Sequence, residues 1–240
     1  MADKDLDFLY QCSNDQLKLL ADFMLYDRSG KLRSTKQISS TKAFKLYYPH
    51  EMVKLVPALI DELQKLGGNI ILNFFKGHGL PYREILKKVC KKLEVPYSGK
   101  TPMEVIERNM LKKLFVMSVG RMTEEDLRHL RMSKDELTEM VKNEKHIIFM
   151  AKILVAQLAS LYGKKADWIP FAGGGVIAGG FAGPINFVLI ALLLSDIAKP
   201  VYRVIIPCTI VIAYLRVIYN TPEFEGFNGA DPVLDPILVK

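Results

Sequence analysis

The sequence predicts an all-α protein, a multi-helix bundle that ends in a hydrophobic, glycine-rich helical hairpin. Three observations predict it. N-cap signatures recur ahead of apolar stretches, at Ser13-Asn14-Asp15-Gln16, Thr123-Glu124-Glu125-Asp126 and Ser133-Lys134-Asp135-Glu136. The apolar residues that follow recur at helical spacing. No Val/Ile/Thr alternation is long enough to support a sheet, and no internal repeat is apparent.

The first helix runs from about Asp15 to Tyr26, with Leu17, Leu20, Ala21 and Met24 on one side. Arg28-Ser29-Gly30-Lys31 is a turn, and residues 28–42 are polar and rich in Ser and Thr. A second helix spans about His50 to Leu66, kinked by Pro57 and stopped by Gly67-Gly68. Asn69 to Phe75 is a short apolar segment. Pro81 suits the first position of a helix reaching Leu93. Val95-Pro96-Tyr97-Ser98-Gly99 reads as a linker, after which Thr101-Pro102 opens a long helix to about Val119. Thr123 and Ser133 start two more, the last extending through His146 to about Tyr162.

The chain has 240 residues, half of them hydrophobic, and a net charge of +7. This is ample for a core and excludes disorder as the main state. The charge is unevenly spread. Residues 1–145 carry 26 Lys/Arg and 20 Asp/Glu, whereas residues 146–240 carry 7 and 6. The expected organisation is an N-terminal helical domain over 1–98, a long-helix segment over 99–162, the hydrophobic hairpin over 163–219 and an unstructured tail over 220–240.

From Trp168 to Ser195 there is no charged residue. If this stretch is helical, Gly175, Gly179 and Gly183 share one face, a small-xxx-small pattern that lets two helix backbones touch. Val204 to Leu215 is a second uncharged run, bounded by Arg203 and Arg216 and flanked by Tyr202, Tyr214 and Tyr219. A membrane span needs about 20 apolar residues. Pro184 and the glycines break the first run, and the second is short, although its arginines could snorkel and its tyrosines sit at an interface. An all-round apolar helix belongs either in a membrane or in a buried core.

Arg83, Lys87, Lys88, Lys91 and Lys92 gather on one side of their helix, opposite Ile85, Leu86, Val89, Cys90 and Leu93. That basic face suits anionic lipid headgroups. No nucleic-acid reader motif accompanies it, so no specific nucleic acid is expected. Just before it, Lys76, Gly77, His78, Gly79 and Arg83 surround a loop that feeds backbone N–H groups into a helix N-terminus, an anion-binding arrangement. It lacks the Walker pattern, and a simple interhelical turn is the plainer explanation.

No catalytic motif is present: there is no GxSxG, HExxH or GxGxxG after a strand. No cofactor, no metal site and no catalytic residue are expected. Glu62, Glu84, Glu104 and Glu107 lie on helices without a visible carboxylate pair. Cys12, Cys90 and Cys208 form no metal-ligand or disulfide pattern, which predicts buried free thiols. The acidic start, Met1-Ala2-Asp3-Lys4-Asp5, has no signal-peptide character. The expected setting is the cytoplasm or the cytoplasmic side of an inner membrane, not secretion.

Three stretches carry a family resemblance. They are Leu6-Asp7-Phe8-Leu9 with Ser13 to Leu17; Glu62-Leu63-Gln64 through Gly67-Gly68-Asn69, Lys76-Gly77-His78-Gly79 and Tyr82 to Leu86; and Gly183-Pro184 with Tyr202 to Pro207 and Ile212 to Arg216. Together they resemble the YaaW-type family of uncharacterised bacterial proteins, over about residues 3–218. Some members are labelled ubiquinol–cytochrome c chaperone-like, which implies a role in respiratory assembly. The resemblance brings no catalytic residues. This chain departs from it in Lys76, where Arg is more usual, in a greasier Ile185–Leu194 segment and in its tail.

Two functions follow as expectations. In one, the protein docks on an anionic membrane surface by its basic helix and inserts its hairpin, with the glycine face for self-association. In the other, it is a soluble chaperone-like or protein-interaction module whose hairpin is the buried core. A weaker third is an anion binder or enzyme at the Lys76–Arg83 loop.

Overall fold

The computed structural model describes residues 3–27, 29–33, 36–68, 79–161 and 201–221. Among them are ten α-helices, three 3-10 turns and no sheet; one isolated antiparallel bridge joins Tyr26 and Leu32. The helices are α1 (Asn14–Leu25), α2 (Lys36–Ser39), α3 (Lys42–Tyr47), α4 (Val56–Gly67), α5 (Tyr82–Lys92), α6 (Met103–Val119), α7 (Glu124–Leu130), α8 (Lys134–Met140), α9 (Ile147–Leu161) and α10 (Tyr202–Tyr219).

The helix starts follow local chemistry. Ser13, Thr123 and Ser133 each accept the N3 backbone N–H of their helix, and Gln16, Asp126 and Glu136 return the bond to the cap. Each reciprocal pair satisfies two backbone donors that a helix start otherwise leaves open. The apolar side of α5 is as the periodicity predicts: Ile85, Leu86, Val89, Cys90 and Leu93 are all buried.

Four features differ from the sequence expectation. Residues 4–11, where no helix is expected, form a 3-10 helix, Lys4–Gln11, that buries Leu6, Phe8 and Leu9. The polar stretch after residue 35 contains α2 and α3, the latter capped by the Thr41 hydroxyl. Pro57 does not kink a helix from its interior. A 3-10 turn, Met52–Leu55, ends just before α4, so Pro57 lies in the first turn, where its missing N–H costs nothing. The helix from Ser133 stops at Met140; Asn143 caps the turn Glu144–His146, and α9 begins afresh.

α10 packs against α9, α1, α6, α5 and α4, and against the N-terminal 3-10 helix. It is 18 residues long and apolar enough to cross a membrane by length and composition, yet 72% of it is buried in the protein. Val204 to Leu215 are buried without a break. Each fully buried Ile or Leu contributes about 1.5–3 kcal/mol, so this helix is a major part of the core. Helices from both ends of the chain share one hydrophobic cluster with it. The first limb of the expected hairpin, with Gly175, Gly179 and Gly183, and tail residues 222–240 lie outside the described residues.

Candidate functional site

The charged groups buried at the centre of the bundle come from three distant parts of the chain. Glu107 of α6 is 1% exposed and Arg216 of α10 is 8% exposed. Arg216 Nε donates to Glu107 Oε2 at 2.7 Å. The fully buried Tyr82, first residue of α5, donates its hydroxyl to Glu107 Oε1 at 2.6 Å. Arg216 also donates through Nη2 to the Asp5 carbonyl at 2.6 Å. Its guanidinium lies 4.3 Å from the centre of the Phe8 ring. Both Glu107 oxygens, two N–H groups of the guanidinium and one of its faces are thereby engaged within the protein, which favours tolerating a buried ion pair.

Burial pushes the Glu107 carboxyl above the usual carboxylate range, and the Arg216 charge and its two hydrogen bonds pull it part of the way back. Burial disfavours the Arg216 charge, but the Glu107 charge, Tyr82, the hydrogen bond to Glu107 and the Glu104 charge together outweigh this and hold the guanidinium protonated. The Tyr82 phenol is raised well above its ordinary value by burial and by Glu107. These shifts keep the hydroxyl a donor and the arginine a cation. The arrangement holds three helices and the N-terminal segment together, in a place a dissolved substrate does not reach.

The N-terminal segment has a second role here. The N-cap of α5 is Pro81, which provides no side-chain hydrogen bond. The Asp3 carboxylate supplies one: Oδ2 accepts the Tyr82 backbone N–H at 2.7 Å and Gln64 Nε2 at 2.8 Å. A carboxylate at a helix N-terminus is favoured by both the open N–H groups and the helix dipole. The anion at this helix start is therefore the chain's own Asp3, 79 residues away.

Of the loop residues singled out as anion ligands, Lys76, Gly77 and His78 lie outside the described residues. Gly79 is packed so that an added Cβ would stand 2.5 Å from the Gln64 carbonyl carbon. It serves close approach of two backbones and not a left-handed turn; Gly30 alone has positive φ among the described glycines. Arg83 donates to the Thr101 carbonyl at 2.6 Å. On the basic helix, Lys87 pairs with Glu84 at 2.6 Å and Lys88 donates to the Gly67 carbonyl at 3.0 Å. Lys91 and Lys92 are exposed. Arg216 does not snorkel outward, because its buried partner Glu107 draws it inward. Tyr214 is buried, whereas Tyr219 is exposed and packs on Phe8.

Sequence patterning missed Glu107, Tyr82 and Arg216 as one cluster, because 109 residues separate the ion pair. The available signal was Arg216 closing the uncharged run Val204 to Leu215; Glu107, between Ile106 and Arg108, carries no comparable mark. Among the described residues no group of three His, Cys, Asp or Glu side chains is placed to hold a metal. The three thiols are free, and burial pushes each up to about 12. A thiol so raised is a poor nucleophile.

Residues 1–34 match a domain of unknown function, DUF3944. The chain is 30% identical over 236 residues to a UPF0174 protein of Helicobacter pylori J99, covering 89% of this chain and 91% of that protein. It is 27% identical over 224 residues to the UPF0174 protein YaaW of Escherichia coli K12, covering 89% of this chain and 94% of that one. A UPF0174 protein of Helicobacter pylori 26695 is 28% identical over 194 residues. No solved structure matches the chain.

Proposed function

The chain belongs to the UPF0174 family, and we propose that it works as a folded helical binding module whose C-terminal apolar helix is its own core and not a permanent membrane span. The observation that carries this is the inward ion pair from Arg216 of α10 to Glu107 of α6. An arginine at the end of a spanning helix extends toward headgroups and water. Here it is committed to a buried carboxylate, a backbone carbonyl and an aromatic ring. The cluster acts as a clamp on the fold, and the protein's activity is presented at its surface. The setting that suits such a module is the bacterial cytoplasm, with any membrane contact peripheral.

Cell fractionation tests this. Protein found with membranes is expected to be released by high salt or by alkaline carbonate. Retention after the carbonate wash would mean insertion and would overturn the proposal. The same experiment on Arg216→Met separates the two roles of the arginine. A clamp predicts a less stable protein that aggregates or is degraded; a spanning helix predicts undisturbed membrane retention.

A further inference from the structure

Almost all of the chain's net charge can be traced to one stretch. Residues 28–50 contain six Lys/Arg and no Asp or Glu. Within it, α3 has two unlike sides. Phe44 faces inward, buried and stacked on Tyr48 at 4.6 Å between ring centres. Lys42, Lys45 and Leu46 stand at i, i+3 and i+4, on one side of the helix. All three are exposed, and Leu46 is 70% exposed, the most open large hydrophobic residue described. Lys42 and Lys45 take no ion pair among the described residues. The adjoining 3-10 turn adds Val53, 44% exposed, and Lys54, which pairs with Glu51 and whose ammonium sits 4.6 Å over the Tyr47 ring and so beside α3.

We propose that this surface, Lys42, Lys45 and Leu46 with Val53 and Lys54, is where the protein docks peripherally on an anionic lipid bilayer. It rests on the reading of α10 as core, since it makes the membrane contact superficial. Charge and shape both point to lipid. Lysines draw the surface to acidic headgroups, while an exposed leucine and valine among them enter the headgroup boundary. Nucleic acid would call for exposed aromatic stacking platforms; here Phe44 and Tyr48 stack on one another and the Tyr47 ring is covered by the Lys54 ammonium. The basic face of α5 is a poorer candidate: Arg83, Lys87 and Lys88 bind groups of the protein itself, and the exposed Lys91 and Lys92 have no exposed leucine or valine beside them on the helix.

Sedimentation of the full chain with vesicles tests the proposal, using phosphatidylcholine alone or mixed with phosphatidylglycerol. Binding is expected only to the mixed vesicles, weakening with salt. A lysine near an anionic surface contributes about fivefold in affinity, so Lys42→Ala with Lys45→Ala should weaken binding roughly 25-fold. Leu46→Ser should weaken it further, most visibly in salt. Lys91→Ala with Lys92→Ala should bind like the parent. Helical circular dichroism and an unchanged unfolding midpoint certify each variant as folded, which is expected because all these side chains are exposed. No binding to the mixed vesicles overturns the proposal, as does a Lys42/Lys45 variant that binds like the parent. Binding to heparin or single-stranded DNA without vesicle binding also overturns it, since the partner is then another polyanion. Carbonate resistance with the Lys42/Lys45 dependence intact supports the surface while defeating the core reading of α10.

Discussion

Arg216 Nε lies 2.7 Å from Glu107 Oε2, and this contact joins the last described helix to the middle of the chain. Both side chains are nearly inaccessible to water. Removing one partner leaves the other charged, buried and alone, which costs about 3–5 kcal/mol. Glu107→Gln and Arg216→Met are each expected to destabilise by about that much. Glu107→Gln combined with Arg216→Met should cost clearly less than the two single losses added. Urea unfolding of the four proteins measures this coupling. Simple additivity would show that the pair does not act as a unit.

Asp3 caps a helix that begins 79 residues later. Loss of a capping oxygen costs about 0.5–2 kcal/mol. Asp3→Ala is therefore expected to lower stability within that range, while Asp3→Asn, which retains a capping acceptor, loses less. Thermal unfolding distinguishes them, and an Asn variant as unstable as the Ala variant would remove the cap from the account.

Gly79 and Gly99 make a matched pair. A Cβ on Gly79 would fall 2.5 Å from a backbone carbon of Gln64, whereas nothing lies within 4 Å of one on Gly99. Backbone cannot swing aside as a side-chain tip can. Gly79→Ala should cost about 1–3 kcal/mol. Gly99→Ala should be neutral or slightly stabilising, by at most about 1 kcal/mol, through the unfolded chain. Equal midpoints for the two variants would contradict the packing at Gly79.

Glu62 is buried on α4, and burial pushes its carboxyl above the usual range; Lys65 lowers it and Asp61 raises it. A carboxyl raised on folding binds its proton more tightly in the folded state. Stability is then fullest below the unfolded pKa and is lost as pH rises through the folded one. Glu62→Gln escapes that loss. Relative to the parent, it should gain stability between about pH 4 and neutrality, and the gain should shrink in acid. A stability difference independent of pH would refute the assignment.

Burial holds the Cys12, Cys90 and Cys208 thiols up to about 12, so little thiolate exists near neutrality. Thiol reagents should label the native protein slowly and the urea-unfolded protein quickly. Rapid native labelling would reveal an opening of the bundle at the labelled site.

The elements that could be read in advance are those whose causes are local. The capping boxes at Ser13, Thr123 and Ser133 need only three consecutive residues beyond the cap, and each starts its helix where the pattern says. The apolar side of α5 follows from spacing within eleven residues. Pro57 was ambiguous because the same residue kinks a helix interior or opens a first turn; which one holds depends on where the Met52–Leu55 turn stops. The N-terminal 3-10 helix is only eight residues long, too short to persist alone, and it is held by what Leu6, Phe8 and Leu9 bury against.

By itself, then, the sequence determined an all-helical chain, its main helix starts, its uneven charge and its family. Those rest on short-range backbone chemistry and on composition. The place of the helix Tyr202–Tyr219 was a different matter. An uncharged helix bounded by arginines has the same composition in a bilayer and in a core, because both exclude water. What the tertiary structure adds is the burial of this helix against its neighbours, on which the proposed core reading rests. The same packing brings Glu107, Tyr82 and Asp5 to the guanidinium of Arg216, and a buried charge goes where its partners are.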